Sequence, residues 1–505
     1  MKPKSTTQDK IKNQEPIILT EAYFKEVFNN SADVNFKKYY LNSVGKESKA
    51  TLRCLLIYSE VMIHMDKLNE SIANLEDNLK YEMNLKEEEK LNLPVNELQM
   101  RSLPPAETSK EDIADHIFSG MVLILFEEQE LLYMYALPKI PNRKPEETNA
   151  EISVRGPRDG FVEDISINLA LIRKRYKTAT LVNETFEIGE RGKTKISLLY
   201  VSDIMNEKIV DQVREELSKI DTDVILSTTD LEEVLSGHKY ALVPLFNYTG
   251  RPDFVVASLN NGRFAILIDG SPNALMGPGN LTSILKTAED RYAQYYYTNF
   301  GIMIRLAGLL IAIFLPGFYI ALSSFHLDQL PFPYLATITV SRMGLPLSPQ
   351  LEALMVMSLF ELFKEAGITL PKAIGQTLTV VGGLIIGDAA IRGGLTSPTM
   401  LVIAGTSAVS AYTLVNQSLS TTVSIVRLAV LLLSSILGLF GFFLSVFAIV
   451  LYLSRLEVFG LPYLAPISPF SFKDTFGGLF PKPYLLDKKR SSMLKTKDKS
   501  KGKLK

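Results

Sequence analysis

The sequence predicts two tandem cytoplasmic α/β modules followed by a helical transmembrane domain of about four spans, with an extra short amphipathic or re-entrant helix. Three observations predict it. Charged residues are interspersed up to about Thr298, whereas long stretches between Leu306 and Ser454 carry almost none, so the two parts suit different solvents. From Ile17 onward, β-rich apolar runs alternate with segments of helical periodicity. Several later apolar runs approach the length needed to cross a hydrocarbon core of about 30 Å.

Residues 1–16 are polar and read as disordered; residues 17–140 form the first module. ILTEAYFKEVFNN is helical with Thr20 as N-cap, and two strand-like runs follow at Phe36–Leu41 and Thr51–Tyr58. The charged stretch Val61–Leu91 reads as a helix with a solvated face. After a capped helix at Thr108–Ser119, MVLILFEEQELLYMYAL is a hairpin whose turn is EEQE. The only cysteine, Cys54, excludes an intramolecular disulfide and a thiolate metal cluster, and it fits a reducing compartment. MKPKSTTQDKIKNQEP has charges but no apolar core behind them, so it is not read as a signal peptide.

A polar linker, residues 141–149, leads into the second module at 150–298. Here KTATLVNETFEIG and KISLLYV form a hairpin about Glu190–Lys193. A helix Asn206–Ile220, a strand Asp223–Leu226, a helix Asp230–Ser236, strands Phe254–Ser258 and Arg263–Ile268, and a helix Leu281–Tyr297 complete it. GERGKTK at Gly189–Lys195 imitates the end of a phosphate-binding loop, but Glu187 stands where that motif needs glycine, and a strand follows rather than a helix. Arg155, Gly156, Pro157, Arg158, Asp159 and Gly160 form the densest local signal. They make either an anion-binding or subunit-contact turn, or a structural turn whose arginines pair with Glu151, Asp159 or Glu163. Asp269 and Gly270 end a buried strand and read as architectural.

Within the membrane domain, residues 299–456, the spans are Leu306–Phe325, Ile374–Ile391, Met400–Val415 and Leu428–Ser454. Pro316 should kink the first; the last exceeds a perpendicular crossing and should tilt or protrude. Ser397 N-caps the third, with Pro398 at its first position. The tyrosines 292, 295, 296 and 297 suit a water–lipid boundary. Leu351–Ala366 is short and carries Glu352, Glu361, Lys364 and Glu365, so it is taken as re-entrant, interfacial or pore-facing. The C-terminal segment, residues 457–505, ends in a basic disordered tail with ten Lys/Arg against two Asp from Lys482 on. That excess holds it in the cytoplasm, and with the N-terminal part also inside, the crossings must be even in number.

Ionisable side chains among apolar helices are the candidates for function. Glu361 and Glu365 lie four apart, on one helical face, where several subunits would make a cation-attracting ring. Asp388 stands behind them as a third candidate for the ion path, or as a local pair with Arg392. Gly383 and Gly387 form GxxxG, which permits close helix packing. The four histidines are widely separated and no HExxH, GxSxG or paired-cysteine motif is present, so no enzyme activity, catalytic residue, metal, cofactor or nucleic-acid partner is expected.

Five strings in order around the spans give the chain a family likeness. They are EISVRGPRDGFVEDISINLALIRKR, LPGFYIALSSFH, LEALMVMSLFELFKEAGITLPKAIGQ, GLIIGDAAIRGGLTSP and GLPYLAPISP. Together they resemble the A subunit of the GerA-family spore germinant receptors, over about two-thirds of the chain. The resemblance implies a multi-pass protein of the bacterial spore inner membrane, with its N-terminal domain and C-terminal tail on the core side. The partners it implies are a transporter-like B subunit, a lipoprotein C subunit and further copies of the chain. Its implied function is an oligomeric, nutrient-gated cation channel that initiates germination. A non-channel scaffold or a secondary-transporter-like component is the alternative, and no inverted repeat supports the transporter.

Overall fold

A computed structural model describes residues 20–42, 51–72, 101–103, 110–127, 131–138, 155–238, 241–369, 386–468 and 472–501, apart from positions 30 and 71. The expected disordered N-terminus, the 141–149 linker, most of Val61–Leu91 and positions 374–385 lie outside them. Two compact units result. One comprises Met1–Leu235, Tyr248–Gly277 and Leu494–Lys499; the other comprises Ser236–Asn247, Pro278–Met493 and Ser500–Lys505.

The first unit opens with α1 (Glu21–Val27), whose N-cap Thr20 accepts a hydrogen bond from the Tyr23 amide as the sequence predicts. Strands β1 (Val34–Asn42), β2 (Thr51–Ser59), β3 (Arg101–Leu103), β4 (Met121–Phe126) and β5 (Leu131–Ala136) pair antiparallel in the order β1-β2-β4-β5-β3. Helix α2 (Lys110–Phe118) precedes β4. Both faces of this sheet are covered. Leu55, Ile57, Leu123 and Leu125 pack on α1 and α2, whereas Cys54, Leu56, Val122 and Ile124 fill the opposite side. Two-sided burial explains why these strands read as continuous apolar runs rather than alternating ones. It also pushes the Cys54 thiol up to about 11, which leaves it unreactive.

After α3 (Ile165–Arg175), the strands β6 (Leu181–Ile188) and β7 (Thr194–Val201) form the expected hairpin. The loop resembling a phosphate site is simply its turn, with Gly189 and Lys193 at positive φ. Helices α4 (Glu207–Ser218) and α5 (Thr228–Ser236) follow, then β8 (Asn247–Thr249), α6 (Pro252–Asn260), β9 (Phe264–Ile268) and β10 (Ala274–Gly277), and the sheet order is β6-β7-β9-β10-β8. Two expected strands are absent. Residues 223–226 stay outside the sheet, with the carbonyls of Thr222 and Asp223 accepting bonds from the hairpin turn. Phe254–Ser258 is helical because Pro252 sits in the first turn, and Val255 and Leu259, one helical turn apart, are the residues buried against β9 and β10.

A buried ion pair ties the two sheets' surroundings together. Arg173, on α3, donates from Nε and Nη2 to the Asp33 carboxylate at 3.0 and 2.8 Å, and from Nη1 to the Leu181 carbonyl at 2.8 Å. Its guanidinium lies 3.9 Å from the centre of the Phe118 ring. Both charged side chains are withdrawn from solvent. The Leu494–Lys499 stretch also belongs to this unit, with Leu494 and Thr496 buried and the Lys497 amide donating to Ile204. As far as Lys501 the basic tail is therefore ordered, since its apolar residues find a core that a charge count does not register.

The second unit is helical. The expected helix Leu281–Tyr297 is interrupted, because one capping box, Asn280–Ser283, starts the short α7 (Leu281–Ile284) and a second, Thr287–Asp290, starts a separate 3-10 turn at Ala288–Arg291. The long helix α8 (Tyr295–Phe325) begins well before Leu306 and carries Pro316 inside it. Next come α9 (Phe332–Ser341), α10 (Pro349–Thr369), α11 (Pro398–Ala411) and α12 (Gln417–Arg455). Among the described residues, α8 and α12 are long and apolar enough to cross a membrane by length and composition, and α11 falls short.

Helix α12 is not the tilted rod that Leu428–Ser454 implies. It reverses at Gly438, where φ is 61° and ψ is −139°, a region open essentially to glycine alone. Its arms, 417–437 and 439–455, are about 31 and 25 Å long at 1.5 Å per residue. They fold back on each other. A Cβ on Gly441 would lie 2.2 Å from the Leu433 carbonyl oxygen, and one apolar cavity of about 340 Å³ is lined from both arms. Gly317 meets Val430 and Ser434, and Phe325 meets Gly438, so the first arm runs parallel to α8. The second arm returns past it, with the Phe442 ring tilted against Phe318 and the ring centres 5.3 Å apart. Helix α11 runs against α8, since Thr399 bonds Tyr319 and Ser407 bonds Ala312.

Two outcomes test these features. Arg173→Leu, which strands Asp33, is expected to cost about 3–5 kcal/mol and lower the thermal midpoint of the first unit, whereas a joint apolar replacement of both residues recovers most of it. Gly438→Val is expected to lower the detergent-solubilised chain's midpoint more than the same change at Gly405, a helical glycine with open space around its Cβ position.

Candidate functional site

Charges in the second unit collect on α10. One face of that helix, at Glu352, Ala353, Val356 and Met357, is buried against α8, α11 and α12, and Glu361 lies further along the same helix. Opposite it, the first arm of α12 buries Ser420, Val423, Ser424, Arg427, Val430 and Leu431 at helical spacing. A polar seam is thereby closed between apolar helices.

Arg427 occupies its centre, with its side chain only 3% exposed. One terminal nitrogen makes a short charged contact with Glu361, and the other donates to Ser407 Oγ at 3.1 Å; Ser407 passes the bond on to the Ala312 carbonyl at 2.9 Å. The Arg427 Nε has no partner. Lys364, one turn beyond Glu361, donates to Ser424 Oγ at 2.9 Å and to the Ser420 carbonyl at 3.4 Å. Glu361, Lys364, Ser424 and Arg427, with Tyr412, Gly405 and Phe360, line a cavity of about 130 Å³. The space suits a few waters or one small solute.

A second polar cluster lies toward the other end of α10. The buried Glu352 carboxylate accepts from the Ser397 amide at 2.6 Å, the Ser397 hydroxyl at 2.6 Å and Thr396 Oγ1 at 3.1 Å, and Arg342 stands 3.7 Å away. Ser397 in turn N-caps α11 by accepting from the Met400 amide, the cap that the sequence predicts. The carboxylate therefore meets a helix N-terminus, three hydrogen-bond donors and a nearby guanidinium, an arrangement that satisfies a buried anion.

The predicted site residues scatter. Glu361 sits in the seam, but paired rather than open; Glu365 is exposed on the neighbouring turn. Asp388 makes the local i,i+4 pair with Arg392 at 2.8 Å, both well exposed. Gly387 packs against Leu401, whereas Gly383 lies outside the described residues. In the first unit, Asp159 pairs with Arg175, and Gly160 and Phe161 are buried, the Phe161 amide donating to Gly250. Asn168 clamps Val162 through both its amide and carbonyl, and Arg155 and Arg158 are exposed. Asp269 accepts from the Ile165 amide at the start of α3, as an architectural residue should. The residue missed was Arg427. Its signal was available, because it is the only charged residue between Arg392 and Arg455.

Comparison with known proteins gives the chain its relatives. A family model described as Bacillus/Clostridium GerA spore germination protein matches residues 22–493. Spore germination protein XA of Bacillus anthracis is 42% identical over 89% of this chain and 91% of its own length. Spore germination protein GerLA of Bacillus cereus is 34% identical, covering 77% of this chain and 80% of its own. Spore germination protein A1 of Bacillus subtilis is 31% identical, covering 90% and 94%. Among solved structures, the N-terminal domain of the A subunit of the Bacillus megaterium spore germinant receptor GerK3 aligns with a TM-score of 0.38 and 24% identity, over 51% of this chain and 92% of that one.

The Glu352 cluster makes a direct prediction. Glu352→Ala leaves the Ser397 and Thr396 donors unpaired in a buried site and should cost about 3 kcal/mol, read as a lower thermal midpoint of the solubilised chain. Glu352→Gln retains one acceptor and is expected to lose less.

Proposed function

Because the chain belongs to the GerA family of spore germination proteins, we propose that it is a nutrient-receptor A subunit whose helical unit, assembled from several copies, opens a cation path when germinant is sensed. The observation that carries this reading is Glu361 held by Arg427 between apolar helices. An ion pair in such surroundings adds little net stability, so its presence favours a part in function. In the arrangement described, Arg427 occupies the carboxylate, which suits a closed state. Parting of α10 from the first arm of α12 would free Glu361 to face a cation.

The helical unit is the part that this proposal places in the membrane. Helix α8 and the first arm of α12 run one way, and α10, α11 and the second arm run the other. Helices α10 and α11 follow one another among the described residues and run the same way, so it is the basic C-terminal segment that favours placing both ends on the spore-core side. One of the four expected crossings, Leu428–Ser454, becomes an up-and-down pair. The first unit, as two tandem modules, would lie in the core beside the B and C subunits and link neighbouring copies. The role is that of a receptor subunit, with no catalytic step.

A scaffold that conducts nothing is the second reading, favoured by the pairing of Glu361. The two separate in spores carrying the chain with its partner subunits. For a cation path, Glu361→Gln combined with Glu365→Gln lowers the initial rate of nutrient-triggered cation release roughly tenfold or more at matched receptor abundance, the effect of about 1.4 kcal/mol on a barrier. Unchanged release per receptor, with only abundance reduced, would leave the scaffold.

A further inference from the structure

The cavity between α10, α11 and the first arm of α12 holds an imbalance of charge. Its lining contributes two cations, Lys364 and Arg427, and one carboxylate, Glu361. Glu361 is committed to Arg427. The Lys364 ammonium hydrogen-bonds to a hydroxyl and a backbone carbonyl, Ser424 and Ser420, both of them neutral. Among the described residues, no second carboxylate lines the cavity. Arg427 cannot shed its proton. With both basic groups charged, the cavity lining carries one positive charge in excess, and the further carboxylate that acts on Lys364, Glu365, stands outside the lining on an exposed position.

We infer that this cavity is a binding site for a small monovalent anion, of halide to short-carboxylate size. Lys364 supplies the countercharge and a free N–H, Arg427 reinforces the positive potential, and the Ser424 hydroxyl lies within reach of the same ammonium. The volume of about 130 Å³ accepts such an ion with little accompanying water and excludes a lipid headgroup or a nucleotide. Charge selects against divalent anions, since a second negative charge would meet Glu361 with nothing left to balance it. The site binds α10 to α12 through the ion, across the contact that opening would break. This regulatory consequence rests on the channel reading; the binding itself does not.

The test uses the full-length chain in detergent, at constant ionic strength, with gluconate as the bulky reference anion. Chloride, nitrate and acetate are titrated separately while the thermal midpoint is followed, since a ligand bound only by the folded state raises it. A saturable rise with at least one small anion is expected, lost in Lys364→Met and kept in Lys219→Met, a change at the exposed C-cap of α4. Glu361→Gln removes the repelling charge and should lower the half-saturating concentration by at least about fivefold, equivalent to roughly 1 kcal/mol. A midpoint independent of anion identity, or an equal rise in Lys364→Met, overturns the site. Should Lys364→Met not fold, the Glu361→Gln shift decides alone, and an unchanged or weakened response refutes the proposal. No arm depends on ion flux, so the site can fail while conduction stands, and the reverse.

Discussion

A guanidinium stays protonated at any pH a cell experiences, so Arg427 imposes a fixed condition on the helical unit: a carboxylate must be brought to it. Glu361 is that carboxylate, and supplying it sets how α10 lies against the first arm of α12. Ser407 then has to fall within reach of the second terminal nitrogen, which places α11 beside both. The helix-packing surfaces are otherwise aliphatic and nearly interchangeable in chemistry. The charge gives them one register.

The reversal at Gly438 does the corresponding work along the other axis. Without it, a helix of this length would extend far past the end of α8. With it, the second arm comes back to where the first began, and the Tyr452 hydroxyl and Thr422 bond the same backbone stretch at Leu242. The segment after α12 then pairs Leu281 with Tyr463 and Asn280 with Ala465, close to the start of α8. Two glycines, Gly438 for its dihedrals and Gly441 for the missing Cβ, determine which end of the bundle the C-terminal segment joins.

Legibility in the sequence followed the range of the interactions involved. The β6–β7 hairpin, the Thr20 cap and the Ser397 cap are local, and their residues announced them. The helix at Pro252 reads as a strand because Val255 and Val256 have strand-like side chains, whereas the decision lies with a proline in the first turn and burial one helical turn apart. Gly438 sits in an apolar run that gives no turn signal of polarity, so hydropathy alone reads through it. For the candidate site, Glu361 stood out by its own charge, but its partner lies 66 residues away and only packing could unite them. Counting charges along the apolar region would have found Arg427; knowing that it neutralises Glu361 required the fold.

The two polar clusters of α10 differ in a way that separates architecture from function. Around Glu352, donors and acceptor balance: one carboxylate meets an amide, two hydroxyls and a nearby guanidinium, and the same serine caps the next helix. Such a cluster fixes geometry and has nothing left to offer a ligand. Around Glu361, the groups fall out of balance in both charge and hydrogen bonding, with an unpartnered nitrogen on Arg427 and a lysine held by neutral oxygens. Packing that cavity with leucine would avoid the cost of a buried and a half-buried cation. A protein that instead keeps them, beside a space large enough for a small ion, retains the electrostatic asymmetry that a passing or bound ion can exploit.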